Sequence, residues 1–157
     1  MEFPINVTDN KAKVPGILYG RYPGDSYAGG NPWQLLTAVL GELFYLSAQS
    51  MHDEYLTKGN FFLTEEDHKE WKELLQLGEG ATAYDFVVNA KNAGDSVMTR
   101  LYNHVKSDDG RIDEQIDKVT GVQKSAKTLT WSHANVLHAL HIRDKLAASL
   151  ENADMFI

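Results

Sequence analysis

An acid beside an amide, Glu114-Gln115, and a distant run of aromatic and ionic residues carry the chemistry legible in this chain. The run is Gly20-Arg21-Tyr22-Pro23-Gly24-Asp25-Ser26-Tyr27-Ala28-Gly29-Gly30-Asn31-Pro32-Trp33. Its Arg21 guanidinium and Asp25 carboxylate can hydrogen-bond hydroxyl groups, and Tyr22, Tyr27 and Trp33 offer flat faces to a pyranose ring. Its glycines let backbone approach closely. That combination suits a neutral sugar and needs no metal. The same stretch also reads as a connection that caps the next helix, with Asn31 at the N-cap and Pro32 at the first helical position. The two readings are compatible.

The second segment, Asp113-Glu114-Gln115-Ile116-Asp117-Lys118, precedes Leu129-Thr130-Trp131-Ser132. Inverting hydrolysis of a glycosidic bond needs a proton donor on the leaving oxygen and a second carboxylate that deprotonates a water. Glu114 suits that base, Gln115 a contact to sugar or water, and Trp131 a shield that packs on a ring. Taken alone, the string equally describes a solvated acidic turn.

Bulk properties narrow the partners. A net charge of −7 argues against nucleic acid and anionic membranes, both of which call for basic surfaces. The apolar share of 43% and charged share of 24% are those of an ordinary globular domain, read here as a single unit over 1–157. The absence of cysteine excludes disulfides and thiolate chemistry and leaves the compartment open. Met1-Glu2-Phe3-Pro4-Ile5-Asn6 lacks the basic start and apolar core of a signal peptide, and no apolar run has the length of a bilayer span, so the expectation is a soluble chain.

Four helices must position these segments. From Met1 to Gly30 the Gly, Pro, Asn and Asp content predicts an extended approach without a helix. After Asn31-Pro32, the spacing of Trp33, Leu36, Val39, Leu40, Leu43, Phe44 and Leu46 predicts a helix to about Tyr55 with a broad buried face. Thr64 and the acids Glu65, Glu66 and Asp67 open a shorter helix that stops near Gly78, with Glu70 on its exposed face. A third helix begins near Thr82 and carries Phe86, Val87, Val97, Leu101 and Val105. Residues Arg111 to Ala126 form a long loop, and a last helix takes up Leu129, Val136, Leu137, Leu140, Leu146 and Leu150 to about Asn152. Phe61, Phe62, Trp71 and Phe86 read as core or domain contacts. His133, His138 and His141 lack a carboxylate at matching spacing and Ser96 and Ser132 lack a nucleophile elbow, so metal and serine-hydrolase chemistry are set aside. The class is all-α, and loops this rich in polar and aromatic residues are expected to line one site.

The motifs Gly20-Arg21-Tyr22-Pro23, Asp25, Tyr27 and Gly30-Asn31-Pro32-Trp33, followed by Glu114-Gln115, Asp117-Lys118, Gly121 and Leu129-Thr130-Trp131-Ser132, resemble the glucoamylases of glycoside hydrolase family fifteen. The resemblance implies the C-terminal portion of an (α/α)6 toroid and inverting release of glucose from the non-reducing ends of α-1,4 glucans, extending to α-1,6 bonds. It places Glu114 on the general base, with Gln115 beside it. It places Arg21 on the arginine that holds the terminal glucose, Tyr27 and Trp33 near the first two sugar subsites, and Trp131 against that same glucose. Asp25 would support Arg21 or its loop. Gly24 departs from the glutamate usual in the family. No cofactor is implied. The general acid of the family belongs to an N-terminal half with no counterpart motif here, so the expectation is an isolated chain inactive by itself. Its partners would be a maltooligosaccharide, that N-terminal half or a second copy of itself. A non-catalytic carbohydrate-binding or regulatory module of the same fold is the alternative expectation.

Overall fold

Helix α2 (Gln34–Lys58) is the spine of the molecule and packs against both α4 (Ala83–Val105) and α5 (Thr130–Asp154). The structure, a computed structural model, describes residues 3–59 and 63–154; Phe61 and Phe62 lie outside the described residues. Helices α1 (Pro4–Lys11) and α3 (Glu65–Leu74) complete the helical set, and a two-residue ladder joins β1 (Gln115–Ile116) to β2 (Gln123–Lys124). The core is built from Tyr45, Ala48 and Met51 of α2, Phe86, Ala90 and Leu101 of α4, and Ala139 and Leu146 of α5. Helices α2 and α4 come close because both are glycine at the crossing. A Cβ on Gly94 would lie 2.5 Å from the Tyr45 ring and 3.0 Å from the Gly41 carbonyl oxygen. One polar knot ties all three long helices: Asp95 accepts hydrogen bonds from Tyr45 Oη at 2.9 Å, Lys91 Nζ at 2.7 Å and Arg143 Nε at 2.6 Å. Burial disfavours the Asp95 carboxylate, but Lys91, Arg143 and Tyr45 outweigh it and hold its pKa below the ordinary value.

Helices α3 and α4 start where side-chain caps dictate. Thr64 accepts from the Asp67 amide, and Thr82 and Asp85 form a reciprocal capping box. The start of α2 differs from expectation. Asn31 and Pro32 lie outside the helix, whose N-cap is Trp33 with no side-chain cap. The Gln34 amide donates instead to the Glu114 carbonyl oxygen at 3.1 Å, so the second loop supplies the cap and releases the Asn31 side chain for another use.

The expectation of no helix before Gly30 is corrected by α1. Eight residues of this composition make a marginal helix in isolation, and tertiary contacts decide the matter. The Ile5 amide donates to the Lys118 carbonyl at 2.8 Å, and Asn6 exchanges two hydrogen bonds with the Leu18 backbone. Arg100, buried on α4, donates to the Asn6 and Asn10 side chains and to the carbonyls of Val14 and Pro15. His104 bridges Asp9, at 2.8 Å, and the Gly121 carbonyl, at 2.9 Å.

A second correction concerns the apolar face of α2. Val39, Leu43 and Leu46 point outward, with Leu43 57% exposed, and on α5 Leu137 is 67% exposed. Apolar residues are spread around this helix without being gathered on one face, so apolar spacing alone cannot tell which stripe the core takes.

Candidate active site

Pro23 and Gly24 make a tight turn closed by the Asp25 amide on the Tyr22 carbonyl at 3.2 Å, with Gly24 at φ 82 in the left-handed region that favours glycine. The turn brings Asp25 back onto Arg21. Nε and Nη2 of Arg21 donate to the two Asp25 oxygens, each at 2.7 Å, and the Tyr27 amide donates to Asp25 Oδ1 at 3.0 Å. Arg21, with help from the Tyr27 amide, holds the Asp25 carboxyl down at about 2, while Asp25 raises the guanidinium pKa in return. The guanidinium carbon sits 4.8 Å from the Tyr27 ring centroid, 4.9 Å from that of Trp33 and 5.4 Å from that of Tyr22. Trp33, 8% exposed, forms the floor of this platform, and Tyr27 is tilted against it with centroids 5.9 Å apart.

The second loop is bound to the first by backbone and amide contacts. Gln115 pairs with Trp33 in an isolated antiparallel bridge, and the Ile116 amide donates to the Pro32 carbonyl at 3.0 Å. Asn31 is the hub. Its Nδ2 donates to the Ala28 carbonyl at 2.8 Å and to Gln115 Oε1 at 2.9 Å, and its Oδ1 accepts from the Lys118 amide at 3.1 Å. Lys118 Nζ reaches across to the Gly29 carbonyl at 2.6 Å. Gln115 is fully buried at 0% exposure, and its Nε2 donates to Glu114 Oε2 at 3.0 Å. One acceptor and one donor of that amide are therefore engaged by protein, and the buried side chain is placed to hold the Glu114 carboxylate.

The start of α5 lies alongside the same strand. The Glu114 amide donates to the Ala126 carbonyl and the Leu129 amide to the Ile112 carbonyl, each at 2.9 Å, and the Thr128 amide donates to Asp113 Oδ1 at 2.9 Å. Trp131 stands in the first turn of α5 and is 61% exposed. At the hairpin tip the amides of Thr120 and Val119, then Lys124, hold the Asp117 carboxyl far below the usual carboxylate range. A cavity of about 340 Å³ opens where the loops meet, with Arg21, Tyr22, Asp25, Asn31 and Lys118 in its wall. Glu114 and Trp131 lie outside that wall. Among the described residues no cluster of three or more His, Asp or Glu is arranged to hold a metal, and His138 faces Glu42 of α2 at 3.0 Å.

The model for Glycosyl hydrolases family 15 matches residues 2–141, a span containing Arg21, Asp25, Tyr27, Trp33, Glu114, Gln115 and Trp131. This chain belongs to glycosyl hydrolase family 15. Its family-15 sequence is 33% identical to the intracellular sporulation-specific glucoamylase of Saccharomyces cerevisiae, covering 94% of this chain and 30% of that protein. It is 32% identical to the glucoamylase of Blastobotrys adeninivorans, covering 88% of this chain and 24% of that protein. The solved glucoamylase of Saccharomycopsis fibuligera superposes with a TM-score of 0.65 at 26% identity, over 93% of this chain and 35% of that one. That of Hormoconis resinae gives 0.71 at 23% identity, over 92% of this chain and 27% of that one, and is evidence for the fold alone. The family-15 fold seen here is part of an (α/α)6 toroid, and the chain spans about a quarter to a third of the relatives it matches.

The wiring of this family-15 site was not evident from residue types. Asn31 reads as a helix cap and Lys118 as part of a family motif with no stated contact, and Gln34 and Gln123 carry no signal in the sequence. Gln34 Nε2 donates to Gln123 Oε1 at 2.8 Å, and the same oxygen accepts from the Asp113 amide at 2.9 Å, so buried amides fix the strand that bears Glu114.

Proposed function

We propose that this chain forms the base-bearing side of a glucan hydrolase site that releases glucose from non-reducing α-1,4 ends with inversion. Glu114 takes the proton of the attacking water, and Gln115 holds that carboxylate through Oε2. Among the described residues Glu114 Oε1 accepts no hydrogen bond, so it is the oxygen left to meet a water. Arg21, oriented by Asp25, binds the terminal glucose from the platform of Tyr27 and Trp33, and Trp131 packs on the same ring. The proton for the leaving oxygen comes from an acid on a complementary portion of a family-15 domain. The single observation that supports this reading is the continuous path Arg21–Trp33–Gln115–Glu114, which fixes sugar platform and carboxylate in one rigid unit.

The test is maltose, added to the chain alone and to the chain co-expressed with the remaining helices of the Saccharomycopsis fibuligera glucoamylase domain. The expected result is maltose binding by the chain, glucose release by the pair, and loss of release with retained binding in Glu114→Gln. Binding without release by any pairing would make the chain a carbohydrate-binding module. No binding at all would overturn both readings.

A further inference from the structure

Ile112, Asp113 and Glu114 each hold a different residue of the turn that leads into α5. The Ile112 carbonyl accepts the Leu129 amide and the Glu114 amide donates to the Ala126 carbonyl, each at 2.9 Å. Between them Asp113 reaches over with its side chain, and its Oδ1 accepts the Thr128 amide at 2.9 Å. Of these three contacts it is the one made by a side chain, and so the one that a substitution removes cleanly. We propose that Asp113 is a positioning residue: its carboxylate holds the turn 125–128 in a left-handed form and thereby fixes where Trp131 stands relative to Glu114.

The turn has no other reason to keep this form. Thr128 has φ 50 and Ser125 φ 67, both in the region that favours glycine, and for a β-branched residue such as threonine this conformation is a genuine outlier. Side-chain packing does not impose it, because residues 125–128 are all exposed. Hydrogen bonding of the backbone is what remains. At Thr128 the acceptor is a carboxylate only 1% exposed, steadied by Arg111 Nε on the same oxygen at 3.0 Å and by Gln123 Oε1, which accepts the Asp113 amide at 2.9 Å. Backbone strain persists where the surroundings over-determine it, and it gathers where geometry serves function. Here it lies between the strand that bears Glu114 and the first turn of α5, which carries Trp131.

A change in the sign of φ at one residue redirects the chain that follows it. With Thr128 in an ordinary right-handed form, Leu129, Thr130 and Trp131 would leave the strand together. Asp113 is too deeply buried to meet a sugar itself and acts through that indole. The proposal rests on the function proposed above only in naming what Trp131 touches.

The experiment reads the orientation of Trp131 in the full chain by NMR residual dipolar couplings, comparing its indole and backbone N–H groups with the amides of residues 112–116, and then titrates maltose. Asp113→Ala removes the acceptor, and Thr128→Pro, at an exposed position, removes the donor and forbids a left-handed φ. Both are expected to turn Trp131 out of its wild-type alignment and to lower maltose affinity about tenfold, as loss of an aromatic contact does. Asp113→Asn keeps an acceptor oxygen and should retain orientation, with affinity within about twofold of wild type. Thr128→Gly added to Asp113→Ala should restore both, since glycine takes the left-handed form without help. A carboxylate that served stability alone would show no such rescue. The inference is overturned if Trp131 keeps its alignment in both Asp113→Ala and Thr128→Pro, if Asp113→Asn behaves like Asp113→Ala, or if the added glycine restores nothing. An indole that turns as expected in a chain that binds no maltose would support the positioning and defeat only the sugar reading.

Discussion

Gln115 Nε2 donates to Glu114 Oε2 at 3.0 Å because Asn31, 84 residues away in sequence, holds the other end of the same amide. An amide has one acceptor and one donor side, so the Asn31 bond to Oε1 decides which side Gln115 turns toward the carboxylate. Removing Asn31 frees that choice.

Asn31→Ala is accordingly expected to destabilise the fold by about 2–3 kcal/mol, since it leaves the buried Gln115 oxygen and the Lys118 amide without partners. Urea unfolding measures this. A change below about 0.5 kcal/mol, the size usual for a surface substitution, would mean that the two loops are held together by other means.

Acid should loosen the Arg21 platform late. Asp25 has its carboxyl held at about 2, against 3.8 for an unperturbed one. A depressed carboxyl stabilises the folded form above the unperturbed value and loses that contribution as pH falls through the folded value. The Trp33 indole, stacked on Arg21, reports this by its NMR shift, with an expected midpoint near 2 in place of one near 4.

Arg100→Met should cost about 3–5 kcal/mol. The guanidinium is nearly fully buried, donates to Asn6 and Asn10 of α1 and to the Val14 and Pro15 carbonyls that follow it, and lies 3.8 Å from Asp9, whose charge would lose a partner. Circular dichroism should show loss of about one short helix before global unfolding, because α1 has little stability of its own.

Trp131→Ala separates stability from recognition. At 61% exposure the indole contributes little to the core, so the thermal midpoint should hold to within the effect of about 0.5 kcal/mol. Maltose binding to the chain should fall by about tenfold, the loss expected when an aromatic stacking partner is removed.

Gly94→Ala tests the helix crossing. The new methyl would meet the Tyr45 ring at 2.5 Å, and the expected loss is about 1–3 kcal/mol by urea unfolding. Tyr45 is fully buried and tied to Asp95, so it has little room to move aside.

Much of this architecture was legible wherever a helix carries its own boundary signals. Thr64 and Thr82 cap α3 and α4 with their own side chains, and both helices start where those residues stand. Where the cap comes from elsewhere, sequence pattern fails: α2 is capped by the Glu114 carbonyl, and α1 exists because Arg100, His104 and Lys118 hold it. The residue types of the candidate site were legible because guanidinium, carboxylate and indole chemistry is local. Its wiring was not, because Asn31, Gln34, Gln115 and Gln123 are ordinary amides until the fold brings them together. The outward leucines of α2 and α5 misled for a related reason: spacing identifies an apolar stripe but not the body that covers it.

The clasp formed by α1, His104 and the hairpin tip has a consequence for folding. Residues 4–11 acquire their helical shape only against Arg100, His104 and Lys118, 90 or more residues later in the sequence. That helix is thus among the last parts of this body to settle. Slow ordering of this kind follows from closing so long a loop before any reward arrives.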